Sequence, residues 1–225
     1  MKLHKETVSP QLWNMLHTIM QASEFTDFRL VGGTALSLQL GHRISIDIDM
    51  FTDIDYGNMD CNSLKRFLVS QYKYIQGLDA LDQRQLGYTL YCGNTRDDSI
   101  KLDIYYNDKF LFPQVITEGI RMADIRDIAA MKMLAIDNSN RKKDYWDIHE
   151  LMTKFSLTQM LDFASNRYPY SFNRENTIKK LKNIPYENIT DVEIIDYRGK
   201  YWEFIIEDIQ EKVAEEKTLI NVISC

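Results

Sequence analysis

The sequence predicts an α+β chain: a mixed sheet with flanking helices in its first half, followed by a helical C-terminal half. Three observations carry this. Short apolar runs with strand-like alternation, broken by glycine-rich or polar turns, recur between residues 28 and 106. Apolar residues at helical spacing dominate from Asp124 onward. No long Gly/Ser linker separates the halves, and 225 residues suit one large domain or two small ones.

Residues 9–24 read as a helix, because Leu12, Leu16, Ile19 and Met20 recur at helical spacing behind the start signal Ser9-Pro10. Residues 28–31 form a short strand ended by Gly32-Gly33, and residues 34–40 a short helix stopped by Gly41. A second strand is expected at 45–51 and a helix at 62–72. Two more strands, 87–92 and 99–106, are joined by the polar turn at 93–98. Helices follow at about 125–137, 142–154, 157–167, 174–182 and 201–216. Strand-like alternation stops near Gly119, which sets expected domains at 1–118 and 119–225.

Composition narrows the function classes. With 44% hydrophobic and 27% charged residues the chain builds an ordinary packed core. A net charge of −6 argues against a generally polybasic protein. Cys61, Cys92 and Cys225 lie far apart without a CxxC pair, so neither a disulfide framework nor a cysteine zinc site is expected. The opening MKLHKETVSP carries no apolar signal-peptide core, and no apolar run approaches a membrane span. The expectation is a soluble protein of a reducing cytoplasm, with no membrane partner. The charge is unevenly spread: −4 over residues 1–120, +4 over 121–182 and −6 over 183–225. The basic stretch includes Arg141-Lys142-Lys143 and the group Lys179, Lys180, Lys182, either a solvated helix face or a grip on phosphate.

Residues 30–51, LVGGTALSLQLGHRISIDIDMF, carry the chemistry. A strand that ends in two glycines and opens a helix exposes backbone N–H groups that accept phosphate, and Gly32 and Gly33 let the backbone come close. Thr34 adds a hydroxyl at the same corner. Arg43 either meets a triphosphate or follows Gly41 as a helix-end cation. On a strand, Asp47 and Asp49 share one face, and two such carboxylates call for a cation between them. Hard divalent ions such as Mg²⁺ take that environment. An EF-hand is excluded by Phe51 at the fifth position from Asp47, and by Asn58 and Leu64 at the sixth and twelfth from Asp53. A D-x-D-x-[TV] phosphatase motif fails at Phe51 too. Asp103, in a later strand with Lys101 on its own face, is a candidate third carboxylate for a two-metal site, or else half of a surface ion pair with Lys101.

Two glycines, a short helix, D-x-D on the next strand and a later strand aspartate resemble the polymerase-β-like nucleotidyltransferase fold. More narrowly, these segments with KLDI (101–104) and RKKDYWDI (141–148) resemble the AbiEii/AbiGii toxin family of nucleotidyltransferases, from about residue 28 to 155. In the second half, Lys132 sits on an apolar helical stripe beside Ile128 and Ile136, where a lysine is paired, used or snorkelling at the edge. The resemblance makes it the lysine that reaches the nucleotide phosphates. Asp144 and Asp147, spaced i, i+3, share a helix face, although Lys143 and Asp147 also suit a solvent ion pair. The resemblance places both aspartates in the family's K-D-x-x-D motif. His42 and His149 have no metal-ligand partners at useful spacing.

The resemblance implies a Mg²⁺-dependent transfer of NMP from an NTP to an acceptor hydroxyl, with two ions and Mn²⁺ as a possible substitute. Asp47, Asp49 and Asp103 would be metal ligands, Lys132 and Asp147 further catalytic residues, and Gly32, Gly33, Thr34, Arg43, Lys132 and Asp144 nucleotide contacts. The helical second domain would pack on the first and close the cleft. The implied partners are an NTP, tRNA or another RNA as acceptor, and a cognate antitoxin. Two other readings stand beside it: a small-molecule acceptor of the aminoglycoside kind, and a domain that binds nucleotide or partner without catalysis. The acidic group Glu203, Glu207, Asp208, Glu211, Glu215 and Glu216 is a solvated face or a docking site for a basic partner.

Overall fold

A computed structural model describes residues 2–81, 85–139, 141–186 and 194–223; Cys225 and the side chain of Glu216 lie outside what is described. The chain divides into two compact units, Met1–Asp124 and Ile125–Cys225. Among the described residues no helix is long and apolar enough to cross a membrane.

The first unit is built on one mixed sheet. Its elements are α1 (Pro10–Gln21), β1 (Phe28–Leu30), α2 (Gly32–Leu40), β2 (Ile48–Thr52), α3 (Cys61–Gln71), β3 (Tyr74–Gln76), β4 (Gly87–Gly93), β5 (Ile100–Tyr106), β6 (Val115–Thr117) and β7 (Ile120–Met122). The strand order is β3-β4-β5-β2-β1-β7-β6. At its centre β2 runs antiparallel to β1 and parallel to β5, while β4 runs antiparallel to β5. Ile48 and Met50 of β2, and Leu102 and Ile104 of β5, are fully buried on one face of the sheet. Helix α1 starts on Ser9, whose hydroxyl accepts from the Leu12 N–H, and buries Leu12, Met15, Leu16, Ile19 and Met20.

Three strands were not expected from the sequence. Strands β3, β6 and β7 have three residues each, too few for alternation to show. The turn between β6 and β7 places Glu118 at φ 52° and Gly119 at φ 79°, the paired left-handed geometry of a tight hairpin. Gly119 is therefore a turn inside the sheet. Because β7 pairs with β1 through Leu30 and Met122, the first unit runs to Asp124. Strand β2 begins at Ile48 and not at residue 45. The preceding segment bonds elsewhere: Ser45 N–H donates to the Thr7 carbonyl (2.9 Å) and the Asp47 carbonyl accepts from Thr34. Helix α2 starts two residues earlier than expected, so both glycines belong to its first turn, and Gly41 at φ 68° ends it as expected.

The second unit contains α4 (Ile125–Asn138), α5 (Lys142–Leu151), α6 (Leu157–Arg167), α7 (Arg174–Lys182) and α8 (Trp202–Ile223). Helix α4 packs against α5, α6 and α7, and α8 packs against α5, α6 and α7. Helix α5 stops at Leu151, three residues short of expectation, and α6 begins on a capping box of Ser156 and Gln159. Trp146 stacks on Trp202 with ring centroids 6.3 Å apart, and donates its indole N–H to Asp196 (2.6 Å). A fully buried ion pair between Arg167 and Asp127 ties α6 to α4.

Candidate active site

In the first unit the site is built where β1 turns into α2. Val31 caps α2 in an extended conformation without a side-chain bond to the helix. Its own N–H donates to the Asp49 carbonyl (2.9 Å), which pins the start of the helix to β2. Gly32 follows at φ +66°, and a Cβ there would lie 2.3 Å from Asp49 Oδ2. Only a residue without a side chain lets the first turn of α2 settle against that carboxylate. A Cβ at Gly33 would lie 2.4 Å from the Arg43 guanidinium, which is buried and donates to the Ile44 carbonyl (2.9 Å).

Strand register then aligns a polar row on the open face of the sheet. Asp49 of β2 lies opposite Asp103 of β5, and Asp103 lies opposite Thr89 of β4. Thr89 Oγ1 donates to Asp103 Oδ1 (2.6 Å), and Lys101 Nζ donates to Asp103 Oδ2. The side chain of Asp103 is 15% exposed and that of Lys101 31% exposed. Burial acts to lower the Lys101 pKa. The bond and charge of Asp103, with the charges of Asp47 and Asp49, outweigh it and hold the ammonium above its ordinary value.

The second unit holds a separate cluster. Lys132 of α4 reaches Asp144 Oδ1 at 2.7 Å and Asp147 Oδ2 at 2.6 Å, one turn apart on α5. Arg141 Nε holds the other Asp144 oxygen at 2.7 Å. Both carboxylates are 0% exposed and the lysine 8%. Burial alone raises the Asp144 pKa, but the charges of Lys132 and Arg141 hold that carboxyl below the usual carboxylate range.

A family description, the nucleotidyl transferase AbiEii toxin of type IV toxin–antitoxin systems, matches residues 14–218. The chain belongs to the AbiEii family. An uncharacterized protein of Aquifex aeolicus strain VF5 is 28% identical over 211 residues, which span 89% of this chain and 93% of that protein. Among solved structures, a Helicobacter pylori protein assigned as a nucleotidyltransferase superposes with a TM-score of 0.55 at 18% identity, covering 97% of this chain and 96% of that one. MenT4, a nucleotidyltransferase toxin of Mycobacterium tuberculosis, gives 0.55 at 13% identity, covering 91% and 82%. At such identities the structural likeness is one of fold. AbiEii membership carries the activity: the chain is a nucleotidyltransferase.

Within this AbiEii chain, the expected residues fall into two groups. Gly32, Gly33, Thr34, Arg43, Asp47, Asp49 and Asp103 meet in the first unit, and Lys132, Asp144 and Asp147 meet in the second. Two details differ from the sequence expectation. Asp47 precedes the β2 ladder, so strand alternation alone does not align it with Asp49. The Thr34 side chain is fully buried; its hydroxyl donates to the Asp47 carbonyl and shares a 2.8 Å bond with Ser45, so it braces the loop. Thr89, Ser45 and Arg141 escaped sequence reading as partners. Arg141 alone left a signal, three residues before Asp144 at the start of a helix.

The donor set suits a hard divalent ion at Asp47 and Asp49. Both carboxylates are half-exposed, and the space a Cβ would fill at Gly32 is taken by an Asp49 oxygen beside the start of α2. Among the described residues, no three His, Cys, Asp or Glu side chains gather into one metal-holding group. One or two carboxylates completed by substrate phosphates is the ordinary protein environment of Mg²⁺.

Proposed function

We propose that this chain transfers NMP from an NTP to an acceptor hydroxyl, with the phosphates laid along the α2 N-terminus at Gly32 and Gly33. The observation that carries the reading is the close approach of Gly32 and Asp49, which brings a metal-type carboxylate against a helix N-terminus whose cap residue, Val31, makes no side-chain bond to it. The N–H groups of the first turn of α2 bind and orient the phosphates. Asp47 and Asp49 would hold a divalent ion, Mg²⁺ or Mn²⁺, which when bound would supply charge neutralisation at the phosphates and the leaving pyrophosphate. Asp103, held by Thr89 and Lys101, keeps its carboxylate fixed beside Asp49. Arg43, packed against Gly33, adds a positive charge behind the same helix start. In the second unit, Asp144 and Asp147 fix the side chain of Lys132.

Catalysis of this kind rests on position and charge, with little covalent chemistry on the protein. The acceptor proposed is an RNA end, supported by the net charge of +4 over residues 121–182, and the cellular partner is a cognate antitoxin, as membership of a type IV toxin family suggests. The deciding experiment incubates the chain with each labelled NTP, Mg²⁺ and total RNA. Label in RNA that disappears with Asp49→Asn supports the reading, and transfer that survives Asp49→Asn together with Asp47→Asn overturns it.

A further inference from the structure

One row beyond its acids, the same face of the sheet carries rings. Strand pairing sets Arg29 of β1 opposite Phe51 of β2, Phe51 opposite Tyr105 of β5, and Tyr105 opposite Gly87 of β4. Asp49 and Asp103 stand two residues earlier on the same strands, so the acidic and aromatic rows run side by side, about 7 Å apart. The Phe51 and Tyr105 rings have centroids 5.6 Å apart at an angle of 42°, and both residues are half-buried. A Cβ at Gly87 would collide with the Tyr105 ring, so that ring lies face-on over bare backbone and turns its other face away from β4. Arg29 ends the row with a cation, its guanidinium 3.8 Å from the centre of the Phe110 ring.

We propose that Phe51 and Tyr105 form the subsite on which the terminal base of a single-stranded RNA acceptor stacks. The inference rests on reading the α2 N-terminus as the phosphate site. Because the Val31 N–H meets the Asp49 carbonyl, α2 starts beside Asp49, and Phe51 lies beyond Asp49 on the side away from that start. An in-line displacement sets the leaving pyrophosphate and the attacking hydroxyl on opposite sides of the transferred phosphorus. With the phosphates along α2, the hydroxyl arrives from the side of the aromatic row. Every base has a face that stacks, so the row takes an RNA end without reading its sequence, and the charge of Arg29 suits a backbone phosphate.

The test is a fluorescence titration of the full chain, with no NTP present, into a short single-stranded RNA whose 3′-terminal base is 2-aminopurine, a base that dims when it stacks. Wild type is expected to quench it, and to quench the same RNA less when the 2-aminopurine is at the 5′ end. Phe51→Leu with Tyr105→Leu keeps apolar bulk but removes both rings; it should bind about tenfold or more weakly and leave the base bright. Tyr105→Trp should keep the quenching, and Gly87→Ala, which keeps both rings but lifts Tyr105 off the strand, should reduce it. Melting curves check folding, and the last two variants decide the matter should the leucine variant fold poorly. An unquenched 3′ base in wild type overturns the proposal, as does equal quenching at both ends or quenching unchanged in the leucine and alanine variants. Equilibrium dialysis of labelled ATP should show the same affinity for wild type and the leucine variant; a loss there overturns the proposal by giving the row to the incoming nucleotide. The expected quenching in a chain that transfers no NMP supports the subsite and counts against the proposed activity alone.

Discussion

The two units treat their carboxylates in opposite ways. In the first, Asp47 and Asp49 are half-buried, and Lys101 pairs with Asp103 beside them. In the second, Asp144 and Asp147 are sealed from solvent, and their charge is met at short range by Lys132 and Arg141. On the proposed reading, the exposed set is the one that would hold an outside cation. The buried set is already satisfied, and its removal leaves charges stranded in a medium that solvates them poorly. On the proposed reading, the same residue types therefore serve ligand binding in one place and fixed geometry in the other.

The sharpest way to break this contrast is Lys132→Met. It removes the lysine between two buried carboxylates and leaves Asp144 to Arg141, and the expected cost is about 3–5 kcal/mol of unfolding free energy, read by urea denaturation. A loss under about 1 kcal/mol would mean that the cluster is open to water in solution. Asp49→Asn tests the other side. Transfer should fall by about 10²–10³-fold, as when one preorganised charge-stabilising group is removed, with the urea midpoint little changed. A midpoint that drops as far as that of Lys132→Met would erase the distinction between the units.

Gly32→Ala sharpens the comparison within the first unit. The new Cβ would press on the Asp49 carboxylate at a φ that L residues avoid, so a loss of about 1–3 kcal/mol is expected, together with weaker nucleotide binding in equilibrium dialysis. The smallest effect concerns His149, buried on α5. Burial, and then the charge of Lys200, push its pKa from 6.5 down to about 4, although Asp208 pulls the other way. Between those values the unfolded chain binds the extra proton, so the stabilisation is complete above pH 6.5 and is lost as pH falls toward 4. A decline on the order of 1–2 kcal/mol across that window is expected from urea melts, once screening is allowed for, and His149→Gln should flatten it.

Much of this was legible in the residues. Helices α4, α6 and α7 carry apolar stripes long enough to fix their extents within a residue, and the Gly-Gly start of α2 and the D-x-D pair announce themselves by identity. Pairing across distance was not legible. Nothing local to Asp103 says that it lies opposite Asp49 and Thr89, because register is decided by what both strands bury on their other face. The bracing role of Thr34 was not legible locally, because its partners, Ser45 and the Asp47 carbonyl, are more than ten positions away. Lys132 on its apolar stripe was readable as paired or used, but its two partners and Arg141 emerge only when α4 and α5 pack together.

The parallel pairing of β2 with β5 has a consequence for how the polar row comes to be assembled. Asp49 and Asp103 are neighbours in space but 54 positions apart in the chain, with α3, β3 and β4 between them. A nascent chain cannot assemble the polar row until residue 106 has been made and a long loop has closed, which places the row among the slower contacts to form. A slip of one residue in that pairing would drive Asp49 toward the interior and turn Ile48 and Met50 out to water. A slipped register is thus an unstable one, and the greasy face of the sheet proofreads the charged face.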